Sequence, residues 1–313
     1  MALRVLTIDG GGIRGLIPAR FLAELELITG VPVCRSFDLI AGTATGGVLA
    51  LGLAAPGPAG APRYSAQSMF DLYLERGLDL FPQPDPLPRL RRLFRLHKVH
   101  PGAGPLAEQF GRTPLGDALV DVIVPTSDTA AGAPFLLRSS EFAAGLGPPM
   151  SDVALASSSM PTHFPSVPVK LSARARALTH GGIVANNPAG FAYAAAVARA
   201  EPGDVLLVSL GTGGRATDRT NAIVAGEGEH WPIGVGGAFE LQLEASSEAQ
   251  HQLVDALLTA AGHRDRYWRI QPALEPQADA YGLTDPATVG RLAGEFVSSV
   301  RPQLNEIADA ITA

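Results

Sequence analysis

Short apolar runs alternate along the chain with longer segments in which apolar residues recur at a helical period. Strands are predicted at Leu3–Ile8, Phe37–Ala41, Leu119–Val124, Phe135–Arg138, Val205–Leu210 and Tyr267–Ile270. Helices are predicted at Leu16–Ile28, Gly47–Ala55, Asp152–Ser159 with Ser151 as its cap, Glu240–Ala260 and Pro286–Ile311. This alternation indicates βαβ units around a mostly parallel sheet, and therefore an α/β protein.

Length and composition are those of one large folded domain. The chain has 313 residues, of which 46% are hydrophobic and 17% charged, a balance that suits a large core and excludes disorder. We predict a single domain over residues 1–313, on which the helices of residues 236–313 also pack. The net charge of -6 offers no general attraction for nucleic acid, so no nucleic-acid partner is expected.

Cysteine usage and hydropathy bear on the cellular location. The single Cys34 excludes an internal disulfide, and Met1–Gly10 lacks the charged and then apolar pattern of a leader. The longest apolar run, Val48–Ala55, is far shorter than the roughly 20 residues of a membrane span. These features predict a cytoplasmic protein.

One segment, Arg89–Lys98, is more basic than the rest of the chain. Its basic residues alternate with apolar ones and are Arg89, Arg91, Arg92, Arg95 and Lys98. Two interpretations remain open for it. The segment is either a solvated helix face whose leucines pack on the domain, or an interfacial segment in peripheral contact with an anionic membrane.

A glycine-rich loop, Asp9–Gly15, follows the first strand and precedes the first helix. Gly10, Gly12 and Gly15 fit the dinucleotide fingerprint G-x-G-x-x-G, in which the helix amino end faces a pyrophosphate. The same loop can direct backbone N–H groups at an oxyanion formed on an acyl substrate. A tight turn that needs glycine only for its positive φ is the third interpretation.

The second strand favours the oxyanion interpretation. A dinucleotide-binding domain has an acidic residue at the end of this strand, whereas Asp38 lies near its start. The strand leads instead into the sequence Gly-Thr-Ala-Thr-Gly, which is the nucleophile-elbow frame G-x-S-x-G with Ala44 in place of the serine. Gly42 and Gly46 suit a sharp turn between strand and helix, because bulky side chains would clash there.

These two motifs resemble those of the patatin-like phospholipases, and further blocks follow in the order of that family. Asp9–Gly15 resembles the oxyanion loop of the family, and Phe37–Gly47 resembles its elbow at each position except the serine. The later blocks are Pro125–Asp128, Ala156–Phe164, His180–Pro188 and Ser209–Gly213, so the resemblance is strongest over residues 1–215.

The resemblance implies a fold and a reaction. The fold is a three-layer α/β/α sandwich with a mostly parallel central sheet, and the reaction is hydrolysis of phospholipids or related acyl esters without a metal or cofactor. It also implies that Gly10, Gly11, Gly12 and Arg14 surround the oxyanion. Position 44 would hold the nucleophile, and position 180 the aspartate that serves as its base.

The sequence departs from the family at both catalytic positions, with Ala44 and His180. Alanine has no hydroxyl, so no acyl-enzyme can form there and the chain as written is predicted not to hydrolyse esters. Three origins remain open: an engineered Ser→Ala change in a Ser–His enzyme, natural divergence at both positions, or an engineered double knock-out of a Ser–Asp pair. The alternative functions are a biosynthetic enzyme that uses His180 as a general acid or base without a covalent intermediate, and a non-catalytic lipid-binding protein.

Other polar residues have structural interpretations. Thr43 and Thr45 flank the elbow position and are expected to hydrogen-bond locally, and Ser157–Ser159 is expected to allow close packing of a helix. His97 and His100 have no acidic or cysteine partners at metal-binding spacing, so no metal site is predicted.

Overall fold

The computed structural model describes residues 2–81, 102–161, 164–171, 174–215, 238–274 and 285–313. The basic segment Arg89–Lys98 lies outside the described residues. The strands are β1 (Leu3–Ile8), β2 (Leu39–Gly42), β3 (Asp121–Asp128), β4 (Ala133–Arg138), β5 (Val167–Leu171), β6 (Arg174–Thr179), β7 (Val205–Leu210), β8 (Gly214–Arg215), β9 (Tyr267–Ile270) and β10 (Ala273–Leu274).

The helices follow the predicted periodic segments and add others. They are α1 (Leu16–Thr29), α2 (Val33–Ser36), α3 (Thr45–Ala54), α4 (Ala66–Leu80), α5 (Ala103–Phe110), α6 (Met150–Ser158), α7 (Gly182–Ala185), α8 (Ala189–Val197), α9 (Ala238–Ala260), α10 (Pro286–Ser299) and α11 (Arg301–Thr312). A single 3₁₀ turn, Gly12–Gly15, precedes α1.

The central sheet has the strand order β5-β6-β3-β2-β1-β7-β9, and β4 also pairs with β3. Strands β3, β2, β1, β7 and β9 pair in parallel, whereas the β5–β6 hairpin and β4 are antiparallel. In this register Ile8 lies opposite both Gly42 and Leu210. The loops after β1, β2 and β7 therefore meet at one edge of the sheet, where open α/β sheets bind their ligands.

Helices cover both faces of this sheet. Leu6 and Ile8 of β1 belong to the larger core, which packs under α1, α3, α4, α10 and α11. Val5, on the opposite face, packs with Ala192 and Tyr193 of α8 and with Val254 of α9. Successive side chains of β1 thus point alternately into these two cores, as expected for a strand enclosed between two helical layers. The predicted α/β sandwich with a mostly parallel sheet is thereby confirmed.

Several predicted boundaries differ from those in the structure, and two of the differences have a specific local cause. Pro149 occupies the N-cap position of α6, and the Ser151 hydroxyl donates to the carbonyl of Gly111 (3.0 Å) instead of capping the helix. The segment predicted as one helix from Pro286 is two helices, α10 and α11, separated at Val300. Pro302 has no N–H for a helical bond and disfavours a continuous helix, so α11 starts anew there. No described helix is both long and apolar enough to cross a membrane.

Candidate active site

The turn between β2 and α3 has the geometry of a nucleophile elbow. Ala44 has φ 51° and ψ -113°, a conformation that is rare for a residue with a Cβ and is expected to cost about 1–3 kcal/mol. A Cβ at Gly42 would overlap the backbone of Gly46, and a Cβ at Gly46 would overlap the carbonyl of Ile8. The turn therefore requires glycine on both sides of Ala44 for steric reasons.

Hydrogen bonds hold the elbow from several directions. The N–H of Ala44 donates to the hydroxyl of Ser157 (2.9 Å), which itself donates to the carbonyl of Pro125 (2.8 Å). The Thr43 hydroxyl donates to the carbonyl of Ala185 (2.7 Å), and the Thr45 hydroxyl donates to the Tyr73 hydroxyl (3.0 Å). Both threonines are fully buried, and their hydroxyls are engaged in these hydrogen bonds.

The glycine loop lies beside the elbow, at the end of β1. The N–H of Gly10 donates to the carbonyl of Asn186 (3.0 Å), so this donor is engaged within the protein. Among the described residues the N–H groups of Gly11 and Gly12 have no acceptor. Gly12 has φ 58°, and a Cβ at Gly11 would overlap the side chain of Thr212. Of the three predicted backbone donors, only Gly10 therefore donates to an acceptor within the described part of the protein.

Side chains from distant segments anchor this loop. The Thr212 hydroxyl donates to the carbonyl of Gly10 (2.8 Å), and the Asn186 amide lies within 3.4 Å of the same oxygen. The guanidinium of Arg14, which was predicted to face the oxyanion, donates to the carbonyl of Gly213 (2.9 Å) and is buried. These contacts join the loop after β1 to the loop after β7.

Asp9, at the base of the loop, forms a buried ion pair with Arg269 of β9. The guanidinium donates to both carboxylate oxygens, at 2.6 and 2.9 Å, and the Ser247 hydroxyl adds a third hydrogen bond at 3.1 Å. Burial raises the pKa of Asp9 against the lowering effect of Arg269. Burial by itself would lower the pKa of Arg269. The neighbouring carboxylate of Asp9 outweighs this effect, so the pKa of Arg269 is raised. The short bidentate contacts are those of a charged pair.

A polar cavity of about 250 Å³ lies next to the glycine loop. The described residues that line it include the Asp9–Arg269 pair, Arg14 and Glu244. Ala44 is not among these lining residues, so the cavity lies beside the elbow and does not contain it.

His180 follows β6 and is buried. Its Nδ1 accepts the N–H of Gly182 (3.0 Å), and its ring contacts the ring of Phe239 edge-on, with 6.0 Å between centroids. Burial lowers its pKa to about 4, so the imidazole is neutral at pH 7. Because Nδ1 is an acceptor, we assign the proton of the neutral ring to Nε2.

The two positions predicted to be catalytic are linked through α6. Ser157 accepts the N–H of Ala44 with its hydroxyl and the N–H of Gly181 with its carbonyl (3.1 Å). The structure thus brings the elbow and the residue after His180 to the same turn of α6. Among the described residues, no group of three His, Cys, Asp or Glu side chains is arranged to hold a metal ion.

The model of the patatin-like phospholipase family matches residues 6–193 of this chain. The chain belongs to the patatin-like phospholipase family. Patatin-like protein 2 of Arabidopsis thaliana is 30% identical over 344 aligned residues, which cover 95% of this chain and 79% of that protein. A cGAMP-activated phospholipase of Pseudomonas aeruginosa is 35% identical over 272 residues, covering 81% of this chain and 75% of the relative. Patatin-like protein 2 of Oryza sativa subsp. indica is 34% identical over 205 residues, 59% of this chain and 50% of that protein, so the match spans half of the rice protein.

Several residues of the site were not found from the sequence. Ser157 was expected only to allow close packing, and its hydrogen bond to Ala44 was not anticipated. Arg269 was missed, although an arginine within the otherwise apolar strand Tyr267–Ile270 is a signal of a buried acidic partner. Arg269, Thr212 and Ser247 all lie beyond the part of the chain that the family model matches.

Proposed function

We propose that this chain binds a phospholipid or related acyl ester at the elbow, and that it does not hydrolyse the ester because position 44 has no nucleophile. The backbone of Ala44 carries the proposal. Its positive φ places a Cβ at the turn where a patatin-like hydrolase needs a serine hydroxyl, and the flanking glycines still permit this turn. Binding groups and backbone strain are retained, whereas the hydroxyl that would attack the acyl carbon is absent.

In this proposal the acyl carbonyl lies between the elbow and the glycine loop. The N–H groups of Gly11 and Gly12 donate to its oxygen, and no metal or cofactor is required. Such donors are most effective at an oxyanion, where one of them contributes roughly 10²–10³ in rate. Without a covalent step, the same donors only orient and polarise the bound ester.

The hydrogen bonds of His180 further support an inactive site. A general base for a serine at position 44 needs an unprotonated ring nitrogen facing that serine. Nδ1 already accepts the N–H of Gly182, and in this tautomer Nε2 carries the proton. Protonation of the ring would place a charge in a buried site, which its pKa of about 4 reflects. A carboxylate would instead accept the Gly182 N–H as an anion and become neutral on taking up a proton.

The neutral tautomer also favours a second candidate function. A protonated Nε2 is a hydrogen-bond donor, so His180 can polarise the carbonyl of an acyl, thioester or β-dicarbonyl substrate without a covalent intermediate. This is the biosynthetic alternative, with His180 as the acidic group. A purely lipid-binding protein would use the same pocket with no dependence of any rate on His180.

The test restores the two family residues singly and together. We expect Ala44→Ser to hydrolyse short-chain aryl esters poorly, and Ala44→Ser with His180→Asp to exceed it by about 10²-fold or more, since a general base contributes roughly 10²–10⁴. A fluorophosphonate probe should label both serine-containing proteins. The unmodified chain and His180→Asp alone are matched controls, because neither has a hydroxyl at position 44.

Three outcomes would change the proposal. Equal activity of Ala44→Ser and the double variant would make His180 the native base. Absence of ester hydrolysis in both would show that the pocket no longer supports acyl transfer. A His180-dependent reaction of the unmodified chain with a carbonyl substrate would establish the second candidate function.

The substrate class also bears on membrane contact. We propose that the basic segment Arg89–Lys98 contributes to peripheral binding at an anionic membrane, while the protein itself stays in the cytoplasm. Replacing Arg91, Arg92 and Arg95 by Gln should weaken binding to phosphatidylserine vesicles by up to about 1 kcal/mol per charge, and salt should weaken binding of the parent chain. Vesicle binding unaffected by both changes would contradict this contact.

A further inference from the structure

The described contacts that hold Asp9 and Gly10 come from far along the chain. The N–H of Asp9 donates to the carbonyl of Leu210 (3.0 Å), and its carboxylate is held by Arg269 and Ser247. Gly10 is held by Asn186 and Thr212. With the exception of Asn186, each partner lies after residue 193, where the family model ends. The position of the glycine loop therefore depends on the last third of the chain.

Arg269 connects Asp9 to the neighbouring strand β7. Its side chain is 9% exposed, and its Nη1 donates both to Asp9 and to the hydroxyl of Ser209 in β7 (2.9 Å). The bidentate pair fixes the direction of the Asp9 carboxylate as well as its distance. Because only Gly10 separates Asp9 from Gly11, a rotation at Asp9 would turn the N–H groups that follow.

We propose that Arg269 is a positioning residue, which orients Asp9 and thereby aims the N–H groups of Gly11 and Gly12 at the substrate oxygen. This inference rests on the proposed role of the loop as the oxyanion site. Arg269 itself does not touch the substrate. It acts through the loop, so its loss should affect the transition state, where the oxyanion forms, more than the binding of the ester.

A second ion pair, at the start of β1, provides a matched control. Arg4, at the start of β1, donates to both carboxylate oxygens of Asp38, at 3.0 and 3.1 Å. This pair has the same chemistry as the Asp9–Arg269 pair, but it is partly exposed and lies at the opposite end of β1 from the glycine loop. Changes at Arg4 report the general effect of a lost ion pair on β1.

The first measurement uses the full chain with Ala44 in place and needs no hydrolysis. We would label the glycines with ¹⁵N and compare the parent protein with Arg269→Lys, Arg269→Met and Arg4→Lys. The order parameters of Gly11 and Gly12 should fall from the rigid value of about 0.85 toward 0.6 in the Arg269 variants. They should stay unchanged in Arg4→Lys. If Arg269→Met does not fold, Arg269→Lys decides the question, since it keeps the charge and loses the bidentate geometry.

The second measurement introduces the same changes into the Ala44→Ser, His180→Asp protein. Arg269→Met should lower kcat by about 10²-fold with KM nearly unchanged, and Arg269→Lys should lower it less. Rigid loop glycines in Arg269→Lys, or an equal loss of order in Arg4→Lys, would overturn the positioning role. If the double variant has no activity, the pocket does not support acyl transfer, and the order parameters still test the position of the loop.

Discussion

The elbow and the glycine loop lie at the ends of adjacent parallel strands, but they are held by different kinds of interaction. The elbow side is neutral: Ala44 and Ser157 are joined by a hydrogen bond, and His180 is buried with a pKa of about 4. The loop side is charged, because the ion pair of Asp9 and Arg269 is buried beneath it.

Because of this difference, we expect the elbow and the glycine loop to respond to different substitutions. Close backbone contacts shape the elbow, so its geometry persists without the serine hydroxyl but tolerates no added volume at the flanking glycines. The loop has open space around Gly12, and its distant partners include a buried ion pair, whereas the distant partners of the elbow are neutral hydrogen-bonding groups. Under the proposed function, alanine at position 44 removes the nucleophile and leaves the rest of the site in place.

Glycine-to-alanine substitutions should distinguish the elbow from the glycine loop most clearly, through their effects on the free energy of unfolding. Gly46→Ala should lower the free energy of unfolding by about 3 kcal/mol or more, because its Cβ would overlap the carbonyl of Ile8. Gly12→Ala is the matched control, since its Cβ would meet nothing within 4 Å, and only its φ of 58° opposes the change. We expect a loss of about 1 kcal/mol there. Equal losses in urea denaturation would contradict the close contact between position 46 and the carbonyl of Ile8.

Lowering the pH should reduce the free energy of unfolding, because His180 is buried in its neutral form. The folded state keeps this ring unprotonated down to a pKa of about 4, whereas the unfolded chain takes up a proton below about 6.5. Stability contributed by the neutral ring is therefore complete above 6.5 and is lost as the pH falls toward 4. Over this interval the parent should lose on the order of 3 kcal/mol relative to His180→Asn.

Urea denaturation of the parent and of His180→Asn from pH 7 to pH 4 measures this effect. The comparison is made between the two proteins because Asp9 and Glu26, whose pKa values burial raises, also titrate on the acidic side. A constant difference in the free energy of unfolding across this interval would mean that His180 is solvated in the folded protein.

The smallest effect concerns the strain at the elbow. Ala44→Gly should raise the free energy of unfolding by about 1 kcal/mol, because glycine adopts φ 51° and ψ -113° more readily than alanine. Ala249→Gly, at an exposed position within α9, is the control and should lower it by about 1 kcal/mol. Destabilisation by both changes in thermal unfolding would show that the turn relaxes when position 44 is alanine.

Much of the fold follows from local patterns in the sequence. The predicted strands at residues 3–8, 205–210 and 267–270 have the same bounds in the structure. Short apolar runs that are bounded by glycine or polar residues leave little choice of where a strand begins and ends. The hairpin of β5 and β6 was not predicted. In Arg174–Thr179 the first three residues are exposed and two of them are arginines, so apolar periodicity gave no signal there.

Part of the candidate site could likewise be predicted from the sequence, and part could not. The order of its motifs and the glycines of the elbow could be recognised from the sequence, since each depends on residues that are neighbours along the chain. The roles of individual residues at the site stay predictions. The family motif predicts the N–H of Gly10 as a donor to the substrate, and only the fold shows that it donates to the carbonyl of Asn186.

By itself, the sequence determined the alternation of strands and helices, the glycine frame of the elbow and the absence of a hydroxyl at position 44. Only the tertiary structure decided that Arg269 is the partner of Asp9, that Ser157 holds the elbow and that His180 is neutral. Asp9 and Arg269 are 260 positions apart, and the pKa of His180 depends on how completely its neighbours exclude water. Neither partner choice across such separations nor desolvation is contained in a local pattern, because both arise only when the sheet brings distant segments together.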